Sequence, residues 1–444
     1  MAGGIWTSQN KSRPGAYINF EATAQATTTE NTKGIVALAL PLTWGGEGKL
    51  IEVTSNDLLS GDSLAKIGMM SSDSNALLIN LALQNAYSVK IYNTYTGGTS
   101  ASKTLTGGLS ITAKYPGTFG NKIAIVITAT ADAYIVDTYA DGYFVDSQKV
   151  TTADELVAND FVSFSGTNVT LAATASTLLV GGTNGSTSGT AQADLFTLLY
   201  STAFNTVAIT STSSTDITSA INFAKTMRND EGKYIQVVVA NADTTAANYE
   251  GVINVVNGVT LEDGTSITAA QFTAWVAGAT AGASITESLT GKVVPNAVSI
   301  SNMLSNANII EALGVGKFVL SLNQNGKVKV EKDINSLHTF TSQKQYIFSK
   351  NRIIRELDDI GSNIRDIWET SYLGKVTNNE LGRTQFRSAI INYLTSLLNE
   401  GAIEEFDVDQ IIVQAGNDSD SVVAYLAVKP LDSMEFLYMT VNID

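Results

Sequence analysis

A chain of 444 residues is longer than one hydrophobic core usually organises, so several domains are expected. Hydrophobic residues make up 44% and charged residues only 16%, enough for sizeable cores under a weakly charged surface suited to packing against other proteins. The formal net charge of -15 argues against broad nucleic-acid binding, and the absence of cysteine excludes disulfides and thiolate metal sites. The opening Met-Ala-Gly-Gly-Ile-Trp lacks the charged and apolar regions of a signal peptide, and the apolar stretch 35–42 falls far short of the roughly 20 residues that span a bilayer. A soluble protein made in, and assembled from, the cytoplasm is expected.

Residues 12–20 read as an extended arm, in which Pro14-Gly15 breaks structure and residues 17–20 alternate like a short strand. Residues 33–39 are an apolar strand candidate. Leu77, Leu78, Ile79, Leu81 and Leu83 give 75–86 helical density before a strand at 89–92. From about 95 to 182 helical periodicity vanishes. Short runs at 123–128, 134–137, 144–146, 161–164 and 169–171 predict a small β-sandwich or barrel, inserted between Gly97-Gly98 and Gly181-Gly182. Alternation then returns, with helices at 191–200, 216–227 (capped by Ser214, Thr215 or Asp216), 268–276 and 302–313 (begun by Ser301). Strands at 207–210 and 234–240 between them favour a mostly parallel sheet covered by helices. Asn325-Gly326 turns a hairpin within 317–330. The last third opens with the clearest helix, 342–370, interrupted near Gly361. A second helix runs 380–399 and stops at Gly401, and strands are predicted at 408–415, 422–429 and 434–442.

Catalytic chemistry is sparse. His338 is the single imidazole, and Ser and Asp are too abundant to single out a triad around it. Gly314-Val315-Gly316-Lys317 lacks full phosphate-loop spacing, and Phe318 stands where a hydroxyl is required, so it reads as a helix cap leading into a strand. Asn417-Asp418-Ser419-Asp420 lacks the Gly and Glu of a calcium loop and reads as a turn. Glu404, Glu405, Asp407 and Asp409 read as a solvated edge. No catalytic residue, cofactor or metal site is assigned, and no enzyme is expected. Charge is unevenly placed: residues 325–387 hold eleven basic against eight acidic residues, and 388–444 hold only Lys429 against ten acidic. These are either solvated faces or complementary patches meeting across subunit contacts, where charge sets orientation more than affinity.

The last third carries, in order, Lys350-Asn351-Arg352-Ile353-Ile354-Arg355-Glu356-Leu357-Asp358-Asp359-Ile360, Tyr372-Leu373-Gly374-Lys375-Val376, Asn378-Asn379, Gly382-Arg383, Tyr393-Leu394 and Gly401-Ala402-Ile403. Asp407-Val408 and Gly416 with Asp418 and Asp420 follow, then Val428-Lys429-Pro430-Leu431-Asp432-Ser433-Met434-Glu435 and a terminal strand at 436–442. Earlier landmarks are Arg13-Pro14-Gly15-Ala16-Tyr17-Ile18, Leu42-Thr43-Trp44-Gly45, Tyr115-Pro116-Gly117-Thr118-Phe119-Gly120-Asn121 and Gly181-Gly182-Thr183-Asn184-Gly185. Each is weak alone. Their order over nearly the whole chain resembles the tail sheath proteins of contractile phages.

The resemblance implies an α+β multidomain subunit: an α/β core domain, an inserted β-sandwich or barrel domain, and a C-terminal α+β assembly domain with exchanged terminal strands. The expected boundaries are an N-terminal arm at 1–22, a discontinuous core at 23–95 and 183–325, an outward-facing insertion at 96–182, and an assembly domain at 326–444 whose arm is 433–444. It implies hexameric rings stacked around a tail tube, which contract to drive the tube through a cell envelope. Implied partners are further copies of the chain, the tube, baseplate and tail-terminator proteins, with neither nucleic acid nor membrane insertion. The implied location is a phage virion or phage-tail-like particle, assembled in the host cytoplasm. Tyr17, Ile18 and Phe20 at one end and Phe436, Tyr438 and Val441 at the other are the candidate residues of exchanged strands. The alternative is that both strands complete their own chain's sheet. Lys344, Lys350, Arg352 and Arg355 are the candidate tube-facing basic surface, the alternative being an intradomain helix salt-bridged by Glu356, Asp358 and Asp359. The sheath of a bacteriocin or other injection particle is a second reading, and a secreted β-rich adhesin or surface-layer protein a third.

Overall fold

A computed structural model describes residues 34–443 throughout, and the backbone of Ala2–Gly4 and Gly15–Tyr17. Compactness divides the chain into two units, one of Asn31–Asp358 with Asp432–Asp444, the other of Met1–Glu30 with Asp359–Leu431.

The larger unit is organised by a seven-stranded sheet in the order Lys317–Phe318, Val252–Val255, Gln236–Ala240, Thr206–Ala208, Ile35–Leu40, Ser88–Asn93, Leu50–Thr54. All neighbours are parallel except the last pair, where Leu50–Thr54 is an antiparallel edge. Alternation along Ile35–Leu40 sends Val36, Leu38 and Leu40 into one apolar cluster and Ile35 and Ala37 into another, so both faces require cover. Helices Ala191–Leu199 and Ser214–Asn229 supply one side, the second capped by Ser213, one residue ahead of the expected candidates. Ala269–Gly282 supplies the other, held at its start by a Thr268/Gln271 capping box. Residues 272–281 of this helix are all buried, because Leu77–Leu83 packs against it as well as the sheet. Gly278 and Gly282 permit that approach: a Cβ on either would fall within 3 Å of the Ala82 or Asn85 backbone.

The β-rich insertion is a sandwich. An antiparallel sheet of Tyr143–Val150, Tyr134–Ala140, Ile123–Ala129 and Thr174–Leu178 faces a second of Val162–Ser165, Ser110–Ala113 and Ser102–Thr104. Ile111, Ile123, Ile125, Val136 and Val162 fill the space between, joined by Trp44, whose indole meets Tyr115, Phe119 and Phe161. Residues 169–171 are not the expected strand. Leu171 is buried, but the edge place is taken by Thr174–Leu178.

Two further expectations shift. Ser301 ends a strand, Ala297–Ser301, and the helix after it begins at Asn306 behind the Ser305 cap. The long helix is Asn351–Ile367, preceded by a short 3-10 turn Tyr346–Ser349, and it runs unbroken through Gly361 before a π turn at Trp368–Tyr372. Gly326, the expected start of the assembly domain, lies in the turn of the hairpin Leu320–Leu322/Val328–Val330, whose Leu320, Val328 and Val330 belong to the main core.

In the smaller unit, helix Glu380–Asn399 buries Phe386, Ile390, Leu394 and Leu397 and packs against the two-stranded hairpin Ile412–Ala415/Val422–Tyr425. Trp368, Tyr372 and Phe386 form an aromatic cluster. Gly15–Tyr17 pairs in parallel with Ala2–Gly4.

Candidate assembly surfaces

Among the described residues no group of three or more His, Asp or Glu side chains is placed to hold a metal, and no helix is long and apolar enough to cross a membrane. The half-buried His338 turns Nδ1 to the Ser336 carbonyl at 3.0 Å, and the Ser336 hydroxyl is spent on the Tyr249 and Val252 carbonyls. No nucleophile and base meet there. A cavity of about 390 Å³ in the smaller unit is lined by Trp368, Tyr372, Arg383 and Phe386, with Asp420 its single carboxylate.

Among the described residues the C-terminal segment is the most exposed apolar part. Leu437, Tyr438, Met439, Val441 and Ile443 are 84%, 92%, 74%, 68% and 93% exposed. The strand expected at 434–442 is absent in the isolated chain: no described residue beyond the Pro430 bridge pairs in a ladder. An extended segment without a neighbouring strand leaves its backbone groups to solvent. Of the expected exchange residues, Tyr438 and Val441 are exposed, and their spacing of three would put them on opposite faces of a strand. Phe436 is tethered within its own unit, its ring 5.4 Å from the Lys332 ammonium, which also donates to the Tyr346 hydroxyl at 2.6 Å. Tyr17 ends the short strand Gly15–Tyr17, and Ile18 and Phe20 lie outside the described residues.

Lys344, Lys350, Arg352 and Arg355, the four basic residues expected to face a tube, are engaged or buried within the single chain and are not gathered on an exposed surface. Lys344 lies in the loop before the helix and pairs with Glu250. Arg352 is buried. Arg355 reaches Asp333 at 2.9 Å and the Glu287 carbonyl at 2.6 Å. Asp333, itself fully buried, also accepts from Asn351 at 2.9 Å and from the Leu289 amide at 3.0 Å.

Lys350 grips two carboxylates at the root of the C-terminal segment, Asp432 and, at 2.9 Å, Glu435. The other oxygen of Glu435 accepts from the Thr290 hydroxyl at 2.9 Å, and that hydroxyl accepts from the Asp333 amide. Burial alone would lower the Lys350 pKa, but the two carboxylates outweigh it and hold the ammonium above the ordinary lysine value. The charges are thus consumed in folding the segment's root onto the larger unit. Sequence reading missed the pairing, because 82 and 85 residues separate the partners.

Known proteins resemble the chain along its length. Residues 33–93 match the model of the tail sheath protein Gp18 domain III N-terminal region, and 96–184 that of the phage tail sheath protein beta-sandwich domain. Residues 185–336 match the phage tail sheath protein central domain, and 343–444 the phage tail sheath C-terminal domain. The phage-like element PBSX protein XkdK of Bacillus subtilis is 35% identical, with all of both chains covered. The solved sheath tail protein of Desulfitobacterium hafniense is 40% identical at a TM-score of 0.81, covering 95% of this chain and 98% of its own. That of Listeria innocua is 34% identical at 0.82, covering 91% and 94%.

Proposed function

The chain belongs to the phage tail sheath family, and from that premise we propose that it polymerises around a tail tube as stacked hexameric rings whose contraction drives the tube through a cell envelope. Its copies associate through the C-terminal arm, which enters a neighbouring copy as an added strand. The observation carrying this reading is the run of exposed apolar side chains at 437–443 with no strand partner among the described residues. Main-chain hydrogen bonds would hold such a strand and alternate side chains would fill pockets. The hairpin Ile412–Ala415/Val422–Tyr425 is the acceptor on the neighbour: two strands alone are marginal, and Ile412 and Tyr425 are exposed on it. The N-terminal residues, Tyr17 among them, form a second arm. Tube, baseplate and tail-terminator proteins are the further partners, and a phage tail or phage-tail-like particle is the location. No catalytic role is proposed.

The test is a chain ending at Phe436, compared with the full chain by sedimentation and negative-stain microscopy, with and without the tube protein. Loss of rings and cylinders from a folded protein is expected. Normal polymers from the shortened chain would overturn the arm's role.

A further inference from the structure

We infer that Lys350 is the positioning residue of the C-terminal arm: its grip on Asp432 and Glu435 fixes, within the donor chain, the root from which residues 437–443 reach a second copy, so that Leu437, Met439, Val441 and Ile443 form the face buried there. The inference rests on the arm reading above and adds to it where the arm starts and which side it buries.

Three observations carry it. The Glu435 side chain is 5% exposed and that of Lys350 10%, so the pair is an internal fastening, unlike a screened surface contact. Both Glu435 oxygens are satisfied, by Lys350 and Thr290, and Thr290 is bonded in turn to the Asp333 backbone, so the root is tied to a network and not to one flexible ammonium. Phe436 follows at once with its ring over Lys332, although at 68% it is as exposed as Val441. The buried fastening therefore ends at Glu435, and Phe436 leads into the exposed residues that begin at Leu437.

Period-two alternation then assigns the faces. Leu437, Met439, Val441 and Ile443 point one way; Tyr438, Thr440 and Asn442 point the other. A slip of one residue would exchange the two sets, burying Tyr438, Thr440 and Asn442 in place of four apolar side chains. A root held by a buried ion pair removes that slip, and it limits the volume a docked arm must search, which raises its effective concentration at the acceptor. The pair also keeps the arm attached to its own larger unit while the end is held by a neighbour, which lets tension pass from copy to copy.

Two experiments on the full chain decide it. Glu435→Gln keeps the side chain's volume and its bond from Thr290 but removes the charge that faces Lys350. Lys350 keeps Asp432, so the urea midpoint of the variant should fall only modestly, while the concentration needed to form polymer rises about tenfold or more. Polymer forming at the wild-type concentration would overturn the positioning role. Separately, wild-type polymer grown from an equal mixture of ¹⁴N and ¹⁵N chains is treated with a carbodiimide, which joins an amine to a carboxylate in direct contact. Lys350–Glu435 links should join only chains of the same label. Mixed-label links would show that the root itself is exchanged, and the inference would fall. The cross-link uses the unaltered chain, so it decides even if Glu435→Gln folds poorly. Normal assembly of the chain ending at Phe436 would remove the arm reading itself, an outcome distinct from either result here.

Discussion

Gly278→Ala separates two effects that ordinarily act together. In a helix interior Ala is favoured over Gly by about 1 kcal/mol, so propensity alone predicts a more stable protein. Gly278 lies in Ala269–Gly282 against Leu77–Leu83, where an added Cβ would stand 2.9 Å from both the Cα and the carbonyl carbon of Ala82 and closer still to its oxygen. Those atoms are backbone and no rotamer relieves them, so the helices must move apart in a core that includes Phe272, Trp275, Ile79 and Leu81. Overpacking of this kind costs about 3 kcal/mol at the upper end of its usual range. The steric term wins, leaving a net loss of about 2 kcal/mol, or about 30-fold in the unfolding equilibrium. Gly314→Ala is the control. It closes the helix Asn306–Gly314 with no atom within 4 Å of an added Cβ, and should be neutral or stabilising by up to about 0.5 kcal/mol. Urea unfolding followed by tryptophan fluorescence checks this, the buried, Phe272-stacked Trp275 supplying the local part of a signal shared by four indoles. A Gly278→Ala protein as stable as wild type, or as Gly314→Ala, would refute the reasoning.

Arg228 and Asp358 form a two-pronged pair at 2.7 and 2.6 Å with side chains 8% and 15% exposed. Burial pushes the Asp358 carboxyl upward against the pull of the guanidinium, and burial of Arg228 is outweighed by Asp358, which holds it charged. Asp358→Ala strands the cation and should cost about 3–5 kcal/mol, whereas Arg228→Met with Asp358→Leu should cost far less; a double-mutant cycle in urea checks both. Acid dependence follows from Asp57 and Glu331. Burial would raise both, but Lys66 and Thr54 outweigh it at Asp57, and Ser321 and Lys329 at Glu331, so both lie below their ordinary values of 3.8 and 4.5. Because the folded values are depressed, the stabilisation is full above the ordinary values and is lost as pH falls through the folded ones. Glu331→Gln should therefore flatten the fall in urea midpoint below about pH 4.5, and an unchanged slope would count against this assignment.

The main core was legible because its signals are local. Alternation and apolar runs at 33–39, 207–210 and 234–240, with helical density between them, determine a parallel sheet needing helices on both faces, and the structure has one. Loss of that periodicity after residue 95 likewise marks the β-sandwich, and the order of motifs is enough to indicate the family. Charge partners were not legible. A basic run at 344–355 looks the same in sequence whether it faces solvent or a distant carboxylate, and only the chain's return at Asp432 puts Lys350 inside a fastening and not on a surface. The terminal run shows the same limit from the other side. Its alternation specifies a strand, but a strand forms only where a second one lies beside it, and among the described residues no neighbour is supplied. Sequence determines what each segment can form, through short-range periodicity and propensity. Tertiary structure decides which charges meet and which strand edge is left open, because both depend on segments brought together across 80 residues and more.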